Sequence, residues 1–387
     1  MFLLLASCQE KKERITTPWG TTLGEDSANT SISVTMDDII RNGELIVLTL
    51  SGPETYYDYR GKNMGTQYLL CERFSNQLGV ALRVEVCKDT TEMVDKLIKG
   101  EGDLIAYPLS KNNKNLIYCG AKNEKNNAQW AVNKENTLLA KALNDWYTPT
   151  LLAEVKKEEQ YAFSARSVKR HVYAPILNRS EGVISQYDHY FQTYAPMARW
   201  DWRLLAAQCY QESAFDPQAR SWAGASGLMQ IMPGTAKHLG LSLDKINDPQ
   251  ANIEAAARYI RELNGSFNDI SNQNEKINFV LASYNGGQRH IRDAMALARK
   301  HGMNAHRWSD VSRFVLLLST PEYYNDPIVK YGYMRGSETV EYVQRIRQRW
   351  VQYGGVASAG ISTSFGNMVP QRATKKHRYK INASSTD

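Results

Sequence analysis

Glu212 ends the run DWRLLAAQCYQES, and the residues on its side of that run are apolar. Asp201 is a residue type that caps helix N-termini, so the run reads as a helix. Leu205, Cys209 and Glu212 are then spaced by four and three residues and fall on one face. A carboxylate on an apolar face has its charged form destabilised, which raises its pKa and lets it hold a proton near neutral pH. Such an acid suits glycosidic bond cleavage, because the departing sugar oxygen must be protonated as it leaves.

Three more stretches combine reactive or amide side chains with glycine. Gly224–Pro233, GASGLMQIMP, is a glycine-punctuated loop whose apolar residues flank Gln230. Ala282–Gly287, ASYNGG, stops an apolar helix on asparagine and glycine as a C-cap does. Ser337–Val343, SETVEYV, opens a final helix behind Ser337 as its cap. Most glycosidases use two carboxylates, yet in these stretches only Glu212 is placed for attack, which indicates a one-carboxylate mechanism.

Together, E-S, G-L-M-Q, Y-N and E-T-x-x-Y-V resemble, in order and separation, the lytic transglycosylases with a soluble-transglycosylase-type catalytic domain. The match covers roughly Tyr187 to Tyr353, and with the upstream segment described below it is most similar to the membrane-bound lytic murein transglycosylase F type. The resemblance implies a mainly α, lysozyme-like fold. It also implies peptidoglycan glycan strands as substrate and cleavage between N-acetylmuramic acid and N-acetylglucosamine. By the same resemblance, Glu212 would first protonate the bridging oxygen. It would then act as base on the muramyl C6 hydroxyl, which would close onto C1 and leave a 1,6-anhydro end.

Carried over position by position, the resemblance makes Ser213, Gly227, Leu228, Met229, Gln230, Tyr284, Asn285, Glu338 and Tyr342 substrate-binding residues beside catalytic Glu212. Several have plainer readings. Ser213 can cap the turn before Pro217, Gln230 can brace its own loop, and Tyr284 can be a core tyrosine. Asn285 reads as a cap more than a ligand contact, and Glu338 suits a helix N-terminus. Gly227 would let the backbone approach the sugar, with Met229 as an apolar wall. Small departures include Ser283 before the Y-N pair and Ala256-Ala257 where a glycine often allows close packing.

The chain that must position these residues has 387 of them, enough for two or three domains with their own cores. Its net charge of +7 suits an acidic polymer or an anionic surface, and equally a merely soluble basic protein. Residues 1–8 carry Leu5-Ala6-Ser7-Cys8, which resembles a bacterial lipobox with Cys8 as the lipidated residue. The basic n-region and half the apolar h-region are missing, so the true start is expected upstream. A lipid at Cys8 would hold the protein to the periplasmic face of the outer membrane.

Residues 9–35 read as a tether. Over 36–150, GELIVLTL, GTQYLLCERFSNQLGV, ALRVEVC, TTEMVDKLIKGEGD and LIAYPL alternate strand and helix, an α/β pattern with a largely parallel sheet. This part resembles the family 3 periplasmic solute-binding domains through Gly43-Glu44-Leu45, Thr55-Tyr56-Tyr57, Gly61, Gly65, Leu78-Gly79-Val80 and Gly102-Asp103. After Leu109 a polar stretch leads directly to AQWAVNKENTLLAKALNDWY, which looks like the return into the first lobe. A second lobe is expected to be largely deleted. A muropeptide or cell-wall enzyme partner, or a spacer role, is then a better expectation than small-molecule capture.

A connector at 151–183 follows, then the catalytic domain at 184–353 and a disordered basic tail at 354–387 with Lys375, Lys376, Arg378 and Lys380. Cys71, Cys87, Cys119 and Cys209 lack C-x-x-C spacing, and no H-x-x-x-H pair occurs, so no metal or cofactor is expected. A disulfide among the cysteines stays open, with Cys209 read as a buried thiol. No phosphate loop or basic recognition helix points to nucleic acid. The rival readings are a goose-type lysozyme or chitinase hydrolysing the same bond, and an inactive cell-wall-binding or sensory lipoprotein.

Overall fold

The computed structural model describes residues 15–16, 22–23, 35–123, 126–164, 167–169 and 183–354. Cys8, most of the expected tether and the tail beyond residue 354 lie outside them. The chain forms two compact units, each discontinuous in sequence. The first comprises Met1–Lys169, Arg220–Ala225 and Phe279–Glu341; the second comprises Arg170–Ala219, Ser226–Asn278 and Tyr342–Asp387.

In the first unit two short strands, β1 (Ile15–Thr16) and β2 (Thr22–Leu23), pair antiparallel within the segment read as a tether. Helix α1 (Met36–Asn42) starts on a capping box in which Thr35 and Asp38 bond each other's backbone, and stops on left-handed Gly43. Strand β3 (Glu44–Thr49) follows, then the hairpin β4 (Tyr57–Tyr59) and β5 (Lys62–Met64), helix α2 (Thr66–Leu78), β6 (Ala81–Val86), α3 (Thr90–Ile98) and β7 (Leu104–Leu109). Strands β3, β6 and β7 are parallel, as the alternation of strand and helix requires. The Gly102-Asp103 pair has a local function, since Asp103 accepts the Ile46 N–H at 2.8 Å where β7 begins.

The polar stretch after Leu109 holds a strand that composition hides. Strand β8 (Leu116–Lys122) lies between asparagine- and lysine-rich flanks and pairs antiparallel with β9 (Gln129–Asn133), which returns antiparallel to β7. The sheet order is β6-β3-β7-β9-β8, so the sheet is mixed, with a parallel half and an antiparallel half. Trp130 of β9 is fully buried, and its indole N–H donates to Gln67 of α2 at 2.6 Å. Helices α4 (Thr137–Trp146) and α5 (Pro149–Ala162) follow, each starting on a side-chain cap, Asn136 and Thr148. Strand β10 (Val168–Lys169) pairs with β11 (Arg220–Ser221).

The rest is helical: α6 (Asp188–Tyr194), α7 (Trp202–Ser213), α8 (Pro233–His238), α9 (Pro249–Ser266), α10 (Gln273–Gly286), α11 (Gln288–Lys300), α12 (Trp308–Leu317), α13 (Pro321–Tyr324) and α14 (Gly336–Gln352). Helix α14 starts one residue before Ser337, so that serine lies in the first turn and not at the cap. Helices α6, α7 and α9 pack around fully buried Phe191, Leu204, Leu205, Ile253 and Ile260 in the second unit. Cys71, Cys87, Cys119 and Cys209 are free, buried thiols.

Candidate active site

Helix α7 is fixed at both ends. At its start Asp201 accepts the Arg203 N–H at 2.9 Å through one carboxylate oxygen and the Trp350 indole N–H at 3.1 Å through the other. At its end Ala214 and Phe215 both take left-handed backbone angles, φ 55° and 63°. Side chains with a Cβ pay about 1–2 kcal/mol each for that conformation, so the turn directly after Glu212 and Ser213 stores strain. Leu205 and Cys209 are fully buried and Glu212 is half-buried, as an acid at the wet end of an apolar face should be.

Glu212 does not stand alone. The Tyr342 hydroxyl on α14 donates to its Oε1 at 2.6 Å, across 130 residues of sequence. That hydroxyl in turn accepts from Nε2 of Gln208, one turn earlier on α7, at 3.1 Å. Ser213 is fully buried, and its hydroxyl donates back to the Cys209 carbonyl at 3.2 Å. Burial pushes the Cys209 thiol well above its ordinary pKa, so it stays a neutral S–H, donating to the Leu228 carbonyl at 3.4 Å. Helix α7 is thereby bonded to the glycine-punctuated loop.

That loop is clamped by a residue the sequence gives no reason to single out. Asn252, fully buried on α9, accepts the Met229 N–H at 2.7 Å and donates to the carbonyls of Ile246 at 2.6 Å and Ser226 at 3.2 Å. A Cβ at Gly227, whose φ is +82°, would lie 2.4 Å from the Asn252 amide nitrogen and 2.5 Å from the Ile246 carbonyl oxygen. The close approach that needs glycine here is to the protein's own clamp. Leu228 and Met229 are fully buried. Gln230, another left-handed residue at φ 49°, braces the loop by donating to the carbonyls of Ala219 at 2.9 Å and Gly227 at 3.0 Å.

The second unit thus brings together Glu212, Ser213, Tyr342 and the loop from Gly227 to Gln230. Tyr284, Asn285 and Glu338 belong to the first unit. Tyr284 is half-buried in the last turn of α10. Asn285 is buried inside that helix and accepts the Thr339 hydroxyl at 2.9 Å, tying α10 to the start of α14. Glu338 accepts the Tyr59 hydroxyl at 2.6 Å and pairs with Arg335 at 2.8 Å, with Arg60 at 3.9 Å. Burial raises the Tyr59 phenol to about 12, so it remains a donor to that carboxylate. Among the described residues no cluster of His, Cys, Asp and Glu is arranged to hold a metal ion.

The Transglycosylase SLT domain family model matches residues 189–306, which include Glu212 and the Gly227–Gln230 loop. Proteins called membrane-bound lytic murein transglycosylase F align along most of the chain. One from Pseudomonas putida is 25% identical, covering 90% of this chain and 88% of its own length. One from Klebsiella pneumoniae is 28% identical over 83% and 82%. The chain belongs to the lytic transglycosylase family.

A relative from Shewanella woodyi is 32% identical over 67% of this chain and 55% of its own. The Pseudomonas putida alignment runs over 452 positions against a chain of 387 residues, so that relative contains stretches without a counterpart here. Among solved structures, the 70 kDa soluble lytic transglycosylase of Escherichia coli is 25% identical, with 43% of this chain and 24% of that one covered and a TM-score of 0.30. Domain 1 of the arginine-bound TmArgBP is 21% identical, with 31% and 98% covered and a TM-score of 0.27.

Proposed function

We propose that this lytic transglycosylase cleaves the bond between N-acetylmuramic acid and N-acetylglucosamine in peptidoglycan without water, with Glu212 as acid and then base. In the first step Glu212 gives its proton to the bridging oxygen; the bond to muramyl C1 breaks and N-acetylglucosamine leaves with a free 4-hydroxyl. In the second step the ionised Glu212 takes the C6 hydroxyl proton while that oxygen bonds to C1. The proton count closes, because the acid is regenerated and the product is a 1,6-anhydromuramyl end.

The observation that carries this reading is the bond from Tyr342 to Glu212, which joins two of the four motifs at one carboxyl group. A phenol donor stabilises the ionised carboxylate that the second step needs. The other carboxylate singled out in those motifs, Glu338, is already engaged by Tyr59 and Arg335 in the first unit, which favours a one-carboxylate route. The strained turn at Ala214 and Phe215 fits a site where backbone geometry serves position over stability.

Mass spectrometry of muropeptides released from purified sacculi tests the reading. Ends lighter by one water than reducing ends are expected, and their loss in Glu212→Gln. Fully reducing products would make the enzyme a lysozyme-type hydrolase. Undiminished release by Glu212→Gln would remove this residue from the mechanism and reopen the binding-protein alternative.

The relatives' names speak of a membrane. No helix among the described residues is long and apolar enough to cross one. We propose attachment through a lipid on Cys8, with catalysis on the periplasmic side of the outer membrane. Incorporation of labelled palmitate by wild type and not by Cys8→Ala is the expected result; equal labelling of both would refute it.

For residues 36–150 we propose a single remaining lobe of a solute-binding-like domain that serves as a structural or docking element. Its support is that β7 passes to β8 through residues 110–115 alone, and that β3, β6, β7, β8 and β9 form one sheet, with β4 and β5 paired to each other.

A further inference from the structure

We infer that Gln208 is a positioning residue for the acid–base cycle, orienting the Tyr342 hydroxyl so that its proton always points at Glu212. The inference rests on Glu212 being the acid and base proposed above.

Gln208 is fully buried among Leu204, Leu205, Ala207 and Cys209, all fully buried too. An amide in such surroundings costs about 1–3 kcal/mol unless its groups are bonded. Only half of this one is satisfied among the described residues: Nε2 donates to Tyr342, while the buried Oε1 has no hydrogen-bond partner there. For packing alone, methionine would fill the same space without an orphaned carbonyl. What the amide supplies is direction.

An amide N–H can only donate, so the Tyr342 oxygen accepts from Gln208 and turns its single proton toward Glu212 Oε1. The chain amide to phenol to carboxyl is polarised in one sense along its length, each bond strengthening the next. While Oε1 accepts that bond, the proton Glu212 delivers must sit on its other oxygen. Without the amide donor, the phenol oxygen has lost the bond that keeps it from accepting a proton from Oε1 instead. That arrangement would hold the proton away from the sugar. Gln208 therefore acts through Tyr342 and touches no substrate.

The test is a double-mutant cycle on the full-length chain with a defined glycan strand as substrate. Gln208→Met is expected to keep a melting temperature at or above wild type. Its KM should stay within about twofold, and its kcat should fall about three- to tenfold, the worth of one hydrogen bond. Tyr342→Phe should lose at least as much, and the double variant no more than Tyr342→Phe alone. The same cycle with Gln208→Leu guards against a packing defect of the methionine. Wild-type kcat in a folded Gln208 variant, or losses that multiply in the double variant, would overturn the inference. Glu212→Gln run in parallel separates the two claims: if it retains activity the underlying reading fails, whereas an inert Glu212→Gln beside a fully active Gln208→Met defeats the role of Gln208 alone.

Discussion

The loop of the site is held by side-chain bonds, and Asn252 makes three of them. One buried amide satisfies the Met229 N–H and two carbonyls, so the loop that carries Gly227 to Gln230 depends on it. Its removal breaks three bonds to buried backbone groups, of which the Ser226 carbonyl keeps the Ile231 N–H at 3.0 Å, and each bond lost is worth on the order of 1 kcal/mol. Asn252→Ala should lower the unfolding free energy by about 3 kcal/mol in urea titrations, with activity falling as the loop loosens. A loss below about 1 kcal/mol would mean the loop finds another anchor. Gly227 belongs to the same clamp, since its left-handed φ and the missing Cβ leave room for Asn252. A glycine chosen for the protein's own packing and one chosen for a ligand's approach look identical in sequence.

At the scale of elements, legibility follows the range of the forces involved. Helix α7 could be read because its cap, its apolar face and its carboxylate all lie within four turns. The parallel strands β3, β6 and β7 were legible for the same reason, as apolar runs separated by helices. Strand β8 was not, because its flanks are polar and its pairing with β9 is what makes it a strand. The start of α14 was off by one residue, within the fraying expected of helix ends. Glu338 was singled out through the E-T-x-x-Y-V motif it shares with Tyr342. Its actual partner Tyr59 lies 279 residues away, and nothing local announces it. Gln208 was invisible for a related reason: an amide on an apolar face gains meaning only when the phenol from a distant helix reaches it.

At the scale of the whole molecule, the boundary suggested by composition and the compact units divide the chain differently. Composition separates an α/β part from a helical part near residue 184, while the first unit combines the α/β sheet with Phe279–Glu341. The reason lies in the packing of that later stretch. Tyr333 is buried in the α/β core, edge-on to Tyr57 at 4.9 Å, and its N–H donates to Ser51 at 2.9 Å. At Gly332, φ is +71° and a Cβ would sit 2.1 Å from the Ser51 hydroxyl oxygen, so the two segments meet with no room for a side chain. Arg335 stacks on Phe163 at 3.7 Å while it pairs with Glu338. The helical region is therefore not expected to be an autonomous domain. Residues 184–353 expressed alone would expose Tyr333 and leave Glu338 without Tyr59, at a cost of about 1.5–3 kcal/mol for the aromatic burial alone. Calorimetry should find that fragment melting several degrees below the full chain, or failing to fold cooperatively. A fragment that matches the full chain in melting temperature and in glycan cleavage would show that the α/β part is a detachable spacer. A destabilised fragment would instead make the α/β part necessary to the stability of the later stretch that packs against it.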